Sequence, residues 1–121
     1  MKILIVDDDV ELTKAVETAL TSYDHDVQTS NDPRDGLELI KEKNYDLIFL
    51  DLAMPEFSGV DIIEDLAKEG TIKEKKIVIF TASSINDEQL EHLIDLGAHS
   101  ALRKPVDIDA LLDKIEEVSS S

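Results

Sequence analysis

The chemistry-bearing residues of this chain fall in four places, and each lies close behind a short apolar run. Asp7, Asp8 and Asp9 follow residues 3–6, Asp51 follows residues 47–50, Thr81 follows residues 77–80, and Lys104 with Pro105 comes just after residues 101–102. Two carboxylates about 4 Å apart repel by roughly 1 kcal/mol in water, and by several-fold more at lower effective dielectric. Acids gathered around a common point suit a hard divalent cation. Mg2+ keeps several waters and takes one or two protein carboxylates, which leaves positions for a phosphoryl oxygen. With a carboxylate nucleophile beside such an ion the chemistry becomes phosphoryl transfer: the metal and a Lys neutralise the oxygens while the protein positions the groups. Taken singly, each residue has a plainer reading. An Asp after a strand is commonly a turn residue or helix cap, a Thr at a strand end is structural, and a Lys is solvated. Three acids from two strand ends, with a hydroxyl and an amine at the same edge, are poorly explained by capping.

That convergence depends on the elements. Residues 3–6, 47–50 and 77–80 are rich in β-branched residues or Phe and too short for helices, which predicts buried parallel strands. Residues 101–102 are a weaker candidate, and Asp26–Ser30 alternates like a more exposed strand. Between them run helical stripes: Leu12, Val16, Ala19 and Leu20; Leu37, Leu39 and Ile40; Val60, Ile63, Leu66 and Ala67; Leu90, Leu93 and Ile94; Ile108, Leu111, Leu112 and Ile115. Asp9, Asp32 or Asn31 (before Pro33), Ser58, Asn86 and Asp107 are placed to cap their starts, and Gly97 to close the fourth. Strand and helix thus alternate about five times, which implies a parallel sheet covered on both faces. Ligands of such sheets bind beyond the carboxyl ends of the strands, where strand order reverses. The chain reads as one domain over residues 1–118, with residues 119–121 as a disordered tail.

Composition narrows the partners. The 121 residues carry 12 Lys+Arg against 28 Asp+Glu, a formal net charge of -16. That balance disfavours direct contact with nucleic acid or an anionic membrane surface and favours a cation or a basic partner. Few aromatics and no Trp argue against a base-stacking platform. With no cysteine there are no disulfides or thiolate metal sites. No stretch approaches membrane-spanning length or a signal-peptide core, so a soluble, cytoplasmic domain is expected.

Asp7-Asp8 after the first strand, Asp51 in F-L-D-L-A-M-P-E-F-S-G, Thr81 in F-T-A, and Lys104-Pro105 resemble, in order and approximate spacing, the CheY-like receiver domain of two-component response regulators. The resemblance spans nearly the whole chain. It implies a doubly wound (βα)5 flavodoxin-like three-layer sandwich, with a five-stranded parallel sheet in the order 2-1-3-4-5. It further implies that Asp51 accepts a phosphoryl group from a phosphohistidine on a sensor histidine kinase or a histidine phosphotransfer protein. Asp8 would ligate Mg2+ (or Mn2+ in its place) directly, Asp7 mainly through water, with Asp51 and the Ala53 carbonyl completing the set. Lys104 would pair with Asp51 and then with the phosphoryl group, and the Thr81 hydroxyl would move in to bond a phosphoryl oxygen. A cis bond before Pro105 would aim Lys104 inward. Pro55 and Gly59 match the loop after the acceptor. The domain would catalyse its own phosphorylation and dephosphorylation, with no turnover of an external substrate.

One position departs from the family. Its members usually carry Tyr or Phe three residues before the Lys-Pro pair, and this chain has Ala101, with Leu102 beside it. Ala cannot fill the space that a moving Thr vacates, so the output face is expected to switch weakly or differently. Ala53 and Ser83 stand where the family tunes phosphoryl lifetime, and their small side chains should shield the group little from water. Phe57 is read as guarding the site or simply packing, His25, His92 and His99 as surface or structural, and Glu116 and Glu117 as a solvated face.

Other readings are weaker. A haloacid-dehalogenase-like phosphatase wants a second Asp two residues past the first, where Ala53 stands, and a flavodoxin-like carrier wants a Ser, Thr or Gly-rich loop where this chain has three acids. Neither a P-loop nor G-x-G-x-x-G is present. A phosphorylation-independent adaptor of the same fold and a phosphorelay intermediate are the serious alternatives. With no output domain in the chain, it is expected to be a stand-alone regulator or an excised domain, acting on an output partner the sequence does not name.

Overall fold

In the computed structural model, which describes residues 1–54, 56–82, 85–105 and 107–120, five strands and five helices alternate along the chain. The order is β1 (Lys2–Val6), α1 (Val10–Thr21), β2 (Asp26–Ser30), α2 (Pro33–Glu42), β3 (Leu47–Leu50), α3 (Gly59–Glu69), β4 (Ile77–Thr81), α4 (Asp87–Leu96), β5 (Ser100–Arg103) and α5 (Ile108–Ser119). A 3-10 turn over Ile72–Lys75 precedes β4 and has no counterpart in the sequence reading. All strands pair in parallel, in the order β2-β1-β3-β4-β5.

The apolar runs are continuous because both faces of the central strands are covered. Leu4, Val6, Ile48, Leu50, Ile77 and Ile79 pack with Ile40, Ile62, Ile63, Leu66, Leu90 and Leu93, the layer of α2, α3 and α4. Their neighbours Ile3, Ile5, Leu47, Phe49, Val78 and Phe80 pack with Val16, Leu20, Leu111, Ile115 and Val118 of α1 and α5. The alternation of Cβ direction along a strand accounts for this division.

Helix starts are set by side-chain caps. Asp9, Asp32, Ser58, Asn86 and Asp107 each accept an amide of their own helix's first turn, and Ser58 with Asp61 completes a capping box. At α2 the cap is Asp32, which frees Asn31 for a different task. Its Nδ2 donates to the Asp7 carbonyl at 2.8 Å and to Thr13 Oγ1 at 3.0 Å, binding the end of β1 to α1. Gly97 closes α4. At the other end of the chain α5 includes Ser119, one residue into the stretch expected to be a tail, and Ser120 is its C-cap. Among the described residues no helix is long and apolar enough to cross a membrane.

Candidate functional site

Pairing of β1 with β3 places Val6 opposite Leu50, so the residues that follow them, Asp7 and Asp51, emerge side by side. The Asp51 amide donates to the Val6 carbonyl at 2.9 Å and continues the ladder one step beyond the strands. This is the point where strand order reverses, since β1 has β2 on one side and β3 on the other. Gly59 lets the β3 end close onto α3. A Cβ there would lie 2.2 Å from the Asp51 carbonyl oxygen and 2.9 Å from Leu52 Cα, contacts that backbone atoms cannot relieve by rotation.

Carboxylate oxygens of Asp7, Asp8 and Asp51 lie within 4.8 Å of one another. Asp7 and Asp51 are almost fully buried, 1% and 3% exposed, whereas Asp8 faces solvent. Lys104 enters from β5: its Nζ is 2.7 Å from Asp7 Oδ2 and 3.6 Å from Asp51 Oδ1. The ammonium also stands 5.0 Å from the centre of the Phe80 ring. The Lys104–Pro105 bond is cis. Thr81 is buried at the end of β4, and its carbonyl accepts the Lys104 amide at 2.6 Å.

The two inner acids differ in how they are held. Asp7 has both oxygens engaged, Oδ1 by the Asp9 amide at 2.9 Å and Oδ2 by Lys104. Among the described residues Asp51 accepts one amide, that of Ala53, at 3.2 Å through Oδ1. Burial, followed by the negative charge of Asp7, raises the Asp51 carboxyl above its ordinary range, and Lys104 and the Ala53 amide offset only part of this. Burial pulls the Lys104 ammonium down, yet the hydrogen bond and charge of Asp7, with Asp51 behind it, outweigh that and hold it above its usual value.

This donor set fits a hard divalent cation. It consists of carboxylate oxygens alone, one of them (Asp8) solvent-facing and able to leave water on the ion. Asp7, already holding an amide and an ammonium, suits a contact through water better than direct ligation. Asp9, the third acid of the row, is spent as the α1 cap, with its side chain turned to the Leu12 amide at 3.1 Å.

Ala53 is exposed two residues beyond Asp51. Ala101 is half-buried, in register with Ile79, and packs on the α3 and α4 side, while Leu102 faces α5. Pro55 and Ser83 lie outside the described residues. Two features escaped the sequence reading. An open cavity beside Asp8 is lined by Asn31, Asp32, Arg34, Glu56 and Phe57, and the Arg34 guanidinium lies over the Phe57 ring at 4.6 Å. Arg103 donates from Nη1 to the Ile85 carbonyl and from Nη2 to Asp87 Oδ1, both at 2.7 Å. An Arg behind a helix-starting Pro and an Arg on an edge strand carry no local mark of distant partners, so neither drew attention.

Comparison with known proteins gives one consistent result. Residues 3–116 match the model of the response regulator receiver domain. The response regulator ArlR of Staphylococcus aureus is 35% identical over 117 residues, which are 97% of this chain and 52% of that protein. The chain therefore spans about half the length of the curated relatives it matches. Among solved structures, the receiver domain of the Francisella response regulator 1452 superposes with a TM-score of 0.87 at 26% identity, covering 98% of this chain and 96% of that one. The chemotaxis protein CheY4 of Vibrio cholerae gives 0.85 at 25% identity, covering 97% of each chain.

Proposed function

The chain belongs to the receiver domain family of two-component response regulators, and from that premise we propose that it is a phosphoacceptor switch with Asp51 as the acceptor. The observation that carries this reading is the grouping of Asp7, Asp8 and Asp51 at the strand-order reversal, with the Lys104 ammonium against two of them.

In the forward step an Asp51 carboxylate oxygen attacks the phosphorus of a phosphohistidine on a sensor kinase or phosphotransfer protein. The new O–P bond forms as the P–N bond breaks, and the imidazole leaves. Mg2+, when bound, supplies charge neutralisation at the phosphoryl oxygens and a template for in-line geometry. Asp8 is the residue to hold it directly, Asp7 through water, and Asp51 and the Ala53 carbonyl complete the protein's share. Lys104, already 3.6 Å from Asp51 Oδ1, pairs with the phosphoryl group. Thr81 donates its hydroxyl to a phosphoryl oxygen, and that displacement changes the partner-binding face.

The reverse step is attack of water on phosphorus, which returns the Asp51 carboxylate and releases phosphate. The exposed, small Ala53 leaves the approach open. Ala101 supports an output that does not use rotation of an aromatic ring. Incubation with acetyl phosphate and Mg2+, followed by intact mass, tests the reading. A Mg2+-dependent gain of one phosphoryl group that Asp51→Asn abolishes supports it. Its absence, also with a competent kinase, would instead favour a phosphorylation-independent adaptor.

A further inference from the structure

We propose that Arg103 is a positioning residue: its guanidinium ties the start of α4 to β5 and thereby opposes displacement of Thr81 toward Asp51. The inference rests on the phosphoacceptor reading, in which Thr81 must move.

Arg103 and Lys104 are neighbours with opposite errands. Lys104 reaches across the sheet edge to Asp7 and Asp51. Arg103, in register with Thr81, turns outward to the segment that leads into α4. Its two nitrogens divide between the Ile85 carbonyl and Asp87 Oδ1, each at 2.7 Å. The Asp87 carboxylate is 91% exposed, so that ion pair alone contributes little. The bond to Ile85 is different. It is partly buried and charge-assisted, and it grips backbone. Ile85 also packs on the core cluster that holds Leu90 and Leu93 of α4.

The same face of β5 carries Ala101, whose methyl group offers α4 no bulk. A polar fork thus makes the β5 to α4 connection at the site end of the strand. Lys cannot reproduce it, because a single ammonium lacks the planar pair of donors. Whatever stabilises one arrangement of this segment over a displaced one reduces the displaced population. If acceptance at Asp51 proceeds from the displaced arrangement, in which Thr81 meets the incoming group, a smaller displaced population accepts it more slowly.

The test uses the whole chain with acetyl phosphate and Mg2+, reading phosphoryl gain by intact mass and amide exchange in the first turn of α4 by hydrogen–deuterium exchange. Arg103→Ala is expected to gain the phosphoryl group faster, by roughly threefold or more, and to exchange the Gln89 and Leu90 amides faster, with an unchanged far-UV circular dichroism spectrum showing that the fold is kept. Asp87→Asn, which keeps the Ile85 bond, shifts both readouts in the same direction by less. Loss of a cation near an acidic edge would by itself slow an anionic donor, so the expected rise runs against the plain charge effect. A rate in Arg103→Ala at or below that of the unaltered chain overturns the proposal, as does unchanged exchange in α4. Absence of any gain in the unaltered chain overturns the phosphoacceptor reading and the rate claim together, whereas unchanged exchange in Arg103→Ala overturns the tie alone.

Discussion

The Lys104 ammonium lies 2.7 Å from Asp7 Oδ2, joining residues 97 positions apart in the chain. The pair bridges the end of β5 to the end of β1 across two intervening strands. Its electrostatics are lopsided, because one cation faces two buried acids. Asp7 takes the short contact, and Asp51 is left with a longer one and the Ala53 amide.

Removing the cation leaves the two buried acids to the backbone amides of Asp9 and Ala53. Lys104→Ala is expected to destabilise the chain by about 2–3 kcal/mol in metal-free buffer, measured by urea denaturation, which is below the loss for a fully buried pair because Lys104 is partly exposed. Mg2+ should recover a part of that loss. The raised Lys104 value places its titration on the alkaline side. The stability it confers is present below the ordinary value of 10.5 and is lost as pH rises through the higher folded value.

Asp51 has the same sign of pH dependence in an acid window, but there it is the neutral form that folding favours. Its carboxyl is raised by burial and by Asp7, so the stability tied to its proton is present below the ordinary value of 3.8 and lost as pH rises through the folded value. At pH 7 without metal, Asp51→Asn should therefore raise the melting temperature, by on the order of 3–5 °C. The advantage should shrink as pH falls into the acid range, where Asp51 in the unaltered chain is protonated. Thermal scans with a chelator at pH 7 and near pH 4 check both halves.

Metal binding should act through the same strain. A ligand that binds only the folded chain stabilises it by roughly 1.4 kcal/mol at ten times its dissociation constant. Melting temperature should rise with Mg2+ concentration and saturate, and the rise should be much smaller in Asp8→Ala. Equal responses from the two proteins would remove Asp8 from the ligand set.

Gly59 is a separate, steric requirement. A methyl group there would meet the Asp51 carbonyl at 2.2 Å, so Gly59→Ala must displace either the acceptor or the start of α3. A loss of about 3 kcal/mol in chemical denaturation is expected, with a chemical-shift change at the Asp51 amide.

The main elements were legible because their signals were local and mutually consistent. Residues such as Leu4 and Ile48 lie in unbroken apolar runs, which only strands covered on both faces tolerate. Asp9 could be set apart from Asp7 and Asp8 by its place before α1. Other features depend on distant partners, and no local pattern announces them. Asn31 read as a possible cap, yet its amide crosses to Asp7 and Thr13. Ile94 joined an apolar stripe and is 38% exposed, because the α4 stripe is narrower than its composition suggests. Gly36 drew no attention, although a Cβ there would come 2.7 Å from Val6 Cγ1. Arg103 gave no signal, because its partners Ile85 and Asp87 lie before and at the start of α4, which the strand sequence does not mention.

The role of Asp51 is tested most directly by intact mass after incubation with acetyl phosphate, with and without Mg2+, for the unaltered chain and for Asp51→Asn. With Asp51 as the acceptor, one phosphoryl group is gained by the unaltered chain only when Mg2+ is present, and none by the variant. An equal gain in Asp51→Asn, or one indifferent to Mg2+, would contradict that role.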